Sequence, residues 1–158
     1  MILIAYDGSI DADAAIDRAA KLLPGQEATI LAVWEQIVDV LTRTGSAFAL
    51  GDVDYEAVDK SAEDHARELA EKGVQRAGQA GLTAHAHTQA RETSIAESIL
   101  TAADEVDGDV IVMGTRGLTR FKSVLLGSVS HAVLQHADRP VMVVPSSEVA
   151  AERRARRP

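Results

Sequence analysis

Cysteine is absent from this 158-residue chain, which excludes disulfides, a thiolate nucleophile and cysteine-ligated zinc or iron–sulfur centres. Only five residues are aromatic, so Ala, Val, Leu and Ile have to build the core of what the length bounds as one domain. No apolar run approaches the roughly 20 residues of a membrane span. The opening Met1–Asp7 stretch lacks the basic flank of a secretory signal, so a cytoplasmic protein is expected. A net charge of −8 argues against a general nucleic-acid binder, which needs a basic face. The P-loop pattern G-x-x-x-x-G-K-[ST] is missing, and the first turn lacks the dinucleotide fingerprint G-x-G-x-x-G. Ser9 has no nucleophile-elbow context. His85 and His87 alternate onto one strand face, but two ligands do not make a metal site, and a polar face is the better reading. His131 and His136 are five apart and do not share a helix face, and His65 reads as a surface residue.

What is present is organised at regular intervals. Ile2–Tyr6, Ala28–Trp34, Leu82–Gln89, Val110–Met113 and Val141–Val144 read as strands, the first, fourth and fifth as nearly unbroken apolar runs expected of strands covered on both faces. Helical patterns lie between them. Asp11–Leu23 ends at Pro24-Gly25, and a long helix from about Tyr55 to Ala80 carries Val58, Ala62, Leu69 and Val74 on one side. Another helix begins at the capping box Ser94-Ile-Ala-Glu97, with Ile95, Ile99, Leu100 and Ala103 inward. The last follows Ser128, with Val129, Val133 and Leu134 on one face. Alternating strands and helices give a parallel sheet covered on both faces, which binds ligands beyond the strand C-termini where strand order reverses. Residues 35–54 have no clear period and read as a loop with some helical content. From Glu148 to Pro158, four arginines against two glutamates leave a tail of net +2, read as a disordered basic end.

The chemistry concentrates after the fourth strand. Gly114-Thr-Arg-Gly117, nine further residues and then Gly127-Ser128 make a glycine-bearing loop between a strand and a helix N-terminus. Backbone N–H groups and a positive helix end meet a phosphate in such a place, which points to nucleotide binding. Ser128 is expected either to cap the helix or to donate its hydroxyl to a phosphate oxygen. Asp7, after the first strand, faces the same crevice if the first and fourth strands are neighbours. Arg116, Arg120 and Lys122 put three cations in the loop, either reaching phosphates or simply solvated.

These pieces together resemble the universal stress proteins over about residues 1–147. The resemblance rests on Ile2-Leu3-Ile4-Ala5-Tyr6-Asp7-Gly8-Ser9, on Asp109-Val-Ile-Val-Met-Gly-Thr-Arg-Gly117, on the G-2x-G-9x-G-(S/T) spacing met by Gly114, Gly117, Gly127 and Ser128, and on Arg139-Pro-Val-Met-Val-Val-Pro145. It implies a single-domain, three-layer α/β fold with an open five-stranded parallel sheet of order 3-2-1-4-5. It also implies a homodimer through the Val141–Val144 edge and the ATP-binding subclass, with magnesium. Carried over by position, Ala5, Tyr6 and Asp7 would wall the adenosine, Asp7 being poised for the ribose or a metal-bound water. Val33 would touch adenine, Met113 and Gly114 would lie under the nucleotide, and Gly117, Gly127, Ser128, Val129 and Ser130 would cradle phosphate, with Arg120 in reach.

Hydrolysis needs a positioned water, a base and charge neutralisation, and no second carboxylate near the loop is evident, so slow ATPase activity at most is expected. The reading that follows is a nucleotide-gated stress-response module whose loop is ordered by ATP and sensed by an unidentified protein partner. The alternatives are a weak ATPase or autophosphorylating enzyme, with Ser128 and Ser130 as acceptors, and a dimeric interaction protein stabilised by its nucleotide.

Overall fold

The computed structural model describes residues 1–45, 54–117 and 126–156. Its strands are β1 (Ile2–Ala5), β2 (Glu27–Trp34), β3 (Thr83–Ala90), β4 (Val110–Gly114) and β5 (Val141–Val144), all parallel in the order β3-β2-β1-β4-β5. The helices are α1 (Ile10–Leu22), α2 (Ile37–Thr44), α3 (Tyr55–Gln79), α4 (Ile95–Glu105), α5 (Ser128–His136) and α6 (Ser147–Ala155). The expected doubly wound, single-domain architecture is the observed one. Among the described residues no helix is long and apolar enough to cross a membrane.

Strand alternation divides the core into two layers. Ile2, Ile4, Ile30 and Val112 point to the face covered by α1 and α3, whereas Leu3, Leu31, Ile111 and Met113 point to the face covered by α4 and α5. Leu3, Ile4, Ile30, Ile111 and Val112 are fully buried, each such side chain contributing about 1.5–3 kcal/mol relative to exposure. The capping expectation for α4 holds: the Ser94 hydroxyl accepts the Glu97 N–H at 3.1 Å.

Of the apolar residues expected on the inner side of the long helix α3, Leu69 and Val74 pack against the core, but small residues make its closest contacts. Ala66, Ala70, Gly73 and Ala77 are the buried positions, while Val58 is exposed. Distance explains the choice. A Cβ on Gly73 would lie 2.6 Å from Ile30 Cγ2 and 3.1 Å from Tyr6 Cδ1, so only small residues let α3 approach the sheet this closely. Leu134 of α5 faces outward, while Val133 is buried and Val129 packs beside it against the core.

The helical content expected in 35–54 is α2, which buries none of its residues and ends at Gly45 in the left-handed region (φ 71°); 46–53 lie outside the described residues. One region departs from expectation. The tail from 148, read as disordered, instead carries α6. The Ser146 hydroxyl accepts the Val149 N–H at 3.4 Å, and Val149 is buried. One apolar anchor in a charge-rich stretch is a weak sequence signal, and docking against the rest of the domain supplies what local propensity does not.

Candidate functional site

β1 leaves the sheet at Tyr6 and β4 leaves it at Gly114, on adjacent strands from which the chain winds in opposite directions, so their C-terminal ends open one crevice. On the β1 side, the Asp7 carboxylate folds back over its own turn, Oδ1 accepting the Ser9 N–H at 3.0 Å. Ser9 caps α1, its hydroxyl accepting the Ala12 N–H at 3.1 Å and donating to the Arg116 carbonyl at 3.4 Å. The two strand ends are thereby tied together.

On the β4 side, Gly114 and Gly117 serve different purposes. A Cβ on Gly114 would sit 2.8 Å from the Asp11 carbonyl carbon and 3.0 Å from the Ala12 nitrogen, so this glycine lets α1 pack onto the end of β4. A Cβ on Gly117 would sit 2.6 Å from Asp7 Oδ2. Gly117 and Asp7 therefore meet across the crevice, as their flanking strands suggest. Asp11, in the first turn of α1, is a residue that sequence reasoning missed. Buried to 7% exposure, its Oδ2 accepts the Thr115 hydroxyl and the Arg116 N–H, the latter at 3.2 Å. A carboxylate in a first helical turn ordinarily reads as a partner of the helix dipole, which hides a loop-holding role.

α5 begins beside this loop. The residue in capping position is Gly127, not Ser128; Ser128 is the first helical residue and is exposed. Gly127 donates its N–H to the Thr115 carbonyl at 2.7 Å, and the added atom of any larger residue would lie 3.2 Å from that same oxygen. The Ser130 hydroxyl is 3.0 Å from both the Thr115 and the Gly127 carbonyl, to either of which it donates, and Ser130 is 2% exposed. It pins the helix start to the loop. Of the two expected phosphoacceptors, only Ser128 presents itself to solvent. The first-turn N–H groups of α5 have no partner within the helix, and the positive helix end points the same way.

The apolar positions divide between faces. Ala5, Val33, Met113 and Val129 all pack in the α4/α5 layer. Tyr6, expected beside them, does not join them. Being next to Ala5 on an extended chain, it projects to the α1/α3 face, where its hydroxyl donates to Asp13 Oδ1 at 2.9 Å and its ring lies against Gly73. Its backbone continues the pairing with β2, the N–H donating to the Leu31 carbonyl at 2.8 Å. Burial, with the hydrogen bond to Asp13 adding to it, pushes the Tyr6 phenol up from 10.0 to about 12. Since the folded value lies above the ordinary one, stability from this group is intact below pH 10 and is lost as pH rises through about 12. In a Tyr55→Phe background, ultraviolet titration should show phenolate absorbance emerging near pH 12. Ionisation near pH 10 would contradict the Tyr6–Asp13 contact.

The Arg116 guanidinium lies 3.6 Å from Glu152 Oε2 of α6. Arg120 and Lys122 lie outside the described residues. His87, rather than joining His85 as a ligand pair, sits 3.5 Å from Glu105 of α4.

Strand order, a switch-point crevice and a glycine-lined helix start define a doubly wound α/β protein of the kind that receives its ligand at the sheet's C-terminal end. Comparison with known proteins narrows this. The profile of the universal stress protein family matches residues 1–145, and the chain belongs to that family. It is 34% identical over 154 residues to the universal stress protein YxiE of Bacillus subtilis, covering 90% of this chain and 97% of that one. The fold superposes on a universal stress protein family member from Burkholderia pseudomallei with a TM-score of 0.68 and 25% identity, covering 91% of this chain and 94% of that one. It also superposes on the universal stress protein from Archaeoglobus fulgidus in complex with dAMP, with a TM-score of 0.61 and 22% identity, over 90% of this chain and 95% of that one.

Proposed function

We propose that this chain binds ATP in the crevice between β1 and β4 and acts as a nucleotide-dependent stress-response module, with slow hydrolysis at most. The observation that carries the reading is the meeting of Asp7 and Gly117: a fixed carboxylate faces a position where any side chain would intrude, beside a helix start. A carboxylate held in this way suits a ribose hydroxyl, and the α5 first turn suits phosphate oxygens. Ala5, Val33, Met113 and Val129 supply an apolar wall for adenine. The dAMP bound by the Archaeoglobus relative supports the adenine nucleotide class.

The donor set fits magnesium only through water, because Asp7 offers one carboxylate that already accepts the Ser9 N–H. Bound there, the cation would neutralise phosphate charge. Asp7 orients, Gly117 leaves space and the α5 amides hold anionic oxygen. None of these is a base aimed at an attacking water, which supports binding over turnover. We assign the β5 edge, Val141–Val143 being half-buried, to a homodimer, in a cytoplasmic protein read by a partner protein.

The test is mass spectrometry of nucleotide released on denaturing freshly purified protein, with Gly127→Val alongside. ATP from the wild type and none from the variant is the expected result. An empty wild type that also takes up no added ATP in calorimetry would overturn the reading.

A further inference from the structure

α5 begins differently from the other described helices. A side chain caps each of α1, α3, α4 and α6, namely Ser9, Asp54, Ser94 and Ser146, and Asp59 Oδ1 takes the first N–H of α2 at 2.6 Å. α5 has no side-chain cap, and its first internal bond runs from the His131 N–H to the Gly127 carbonyl. The N–H groups of Ser128, Val129 and Ser130 therefore stay unspent within the helix. A cap ordinarily does two things, satisfying such amides and fixing where the helix starts. At α5 the two are separated.

The place where α5 starts is fixed from below, by Thr115. This residue is 1% exposed, and each of its polar groups is engaged. Its N–H donates to the Val144 carbonyl of β5 at 3.0 Å. Its carbonyl accepts the Gly127 N–H at 2.7 Å and stands 3.0 Å from the Ser130 hydroxyl. Its own hydroxyl donates to Asp11 of α1. Thr115 thus joins β5, α1 and α5 at one point. Ser9 bonds the next peptide instead, at the Arg116 carbonyl 3.4 Å away. The buried Asp11 carboxylate is the group that holds the Thr115 side chain, and with it the peptide whose carbonyl meets α5.

We infer that Thr115 and Asp11 are positioning residues for the phosphate end of the nucleotide, which together seat the start of α5 without using up its first-turn amides. The inference rests on the ATP reading above. Neither side chain is placed on the ligand. A carboxylate that capped α5 directly would occupy the amides phosphate needs and repel the phosphate besides. Relaying the hold through a neutral threonine avoids both, because Asp11 bonds Thr115 and the Thr115 carbonyl bonds the helix start. Loosening this relay lets α5 drift from the loop and weakens the grip on phosphate, while the apolar wall proposed for the base is untouched.

The experiment uses the full chain with Thr115→Val, Thr115→Ser and Asp11→Asn. ATP with magnesium, and adenosine, serve as probes in calorimetry, and amide exchange of Gly127 is followed by NMR without ligand. Thr115→Val keeps the volume and removes the hydroxyl. It is expected to weaken ATP about three- to tenfold, to leave adenosine unchanged and to speed exchange at Gly127. Thr115→Ser, smaller but still a donor, should return affinity and protection to near wild type, which loss of packing alone would not allow. Asp11→Asn keeps a neutral acceptor and should fall between the two; it carries the ATP test if Thr115→Val does not fold. Unchanged ATP affinity in the variant tested would overturn the proposal, as would an equal loss for adenosine or a failure of Thr115→Ser to recover. If the wild type binds no ATP, the functional reading fails by itself. The seating of α5 then stands or falls on exchange alone, faster exchange in Thr115→Val or Asp11→Asn retaining it and unchanged exchange removing it.

Discussion

Gly117→Val is expected to weaken ATP binding by about 100-fold or more, equivalent to roughly 2.7 kcal/mol, while leaving the melting temperature nearly unchanged. The asymmetry follows from which atom yields. The first atom of the new side chain would lie 2.6 Å from Asp7 Oδ2, the free end of a short side chain, and Gly117 is exposed with a backbone that any residue adopts. The fold therefore relaxes cheaply by turning Asp7 aside. That movement breaks the bond from the Ser9 N–H to Oδ1 and puts a branched side chain where the ligand is proposed to lie. Asp7→Asn makes a useful companion, because the amide oxygen can still accept the Ser9 N–H while the charge is gone. A loss of about tenfold there would separate the contribution of charge from that of shape. Calorimetry with ATP and magnesium reads both. A Gly117→Val protein that binds as the wild type does would remove this crevice as the site.

Gly114→Ala, only three residues earlier, is expected to act on stability as well. Here the neighbours are backbone: the Asp11 carbonyl carbon at 2.8 Å and the Ala12 nitrogen at 3.0 Å, with Asp11 Cβ also at 2.8 Å. Backbone in the first turn of a packed helix cannot rotate out of the way, so α1 has to shift off the end of β4. Overpacking of this kind costs about 3 kcal/mol, a fall in melting temperature of about 6–12 °C for a chain of this size. Because the Asp11 carboxylate holds Thr115 and Arg116, the same shift pulls on the loop, and nucleotide affinity should fall with stability. Differential scanning calorimetry decides it. A melting temperature within a degree of wild type would show that α1 is less tightly seated than its contacts indicate.

The frame of the crevice was legible because it depends on long-lived sequence signals. Unbroken apolar runs marked the buried strands, and glycines at 114, 117 and 127 marked close approaches that the structure shows one by one. Side-chain direction was less legible where a motif was carried over as a block. Ala5 and Tyr6 are adjacent on an extended chain and must face opposite ways, so the tyrosine could not line the same wall as the alanine. The inner side of α3 was legible in Leu69 and Val74, but not its closest approach, because the narrow gap to Ile30 is filled by Gly73 and alanines, which carry little hydropathy signal. The helix start at Gly127 shows how a hydroxyl one residue late, on Ser128, imitates a cap. Asp11 and α6 were illegible for a shared reason. Their partners, Thr115 and Arg116, lie far off in sequence, 104 and 105 positions from Asp11, and only the fold brings them together.

The opposite pole of the sheet has a practical consequence. Met1 places its ammonium 2.5 Å from Asp109, at the end of the sheet where β1 and β4 begin. Nearby, Arg139 fastens the entry to β5 by donating to the Ala103 and Gly108 carbonyls, both at 2.9 Å. A fusion or surface tether attached at the N-terminus therefore emerges farthest from the crevice and disturbs one exposed ion pair. The same attachment behind α6 would load the helix that carries Glu152. For immobilised binding assays on this protein, the handle belongs at the front of the chain.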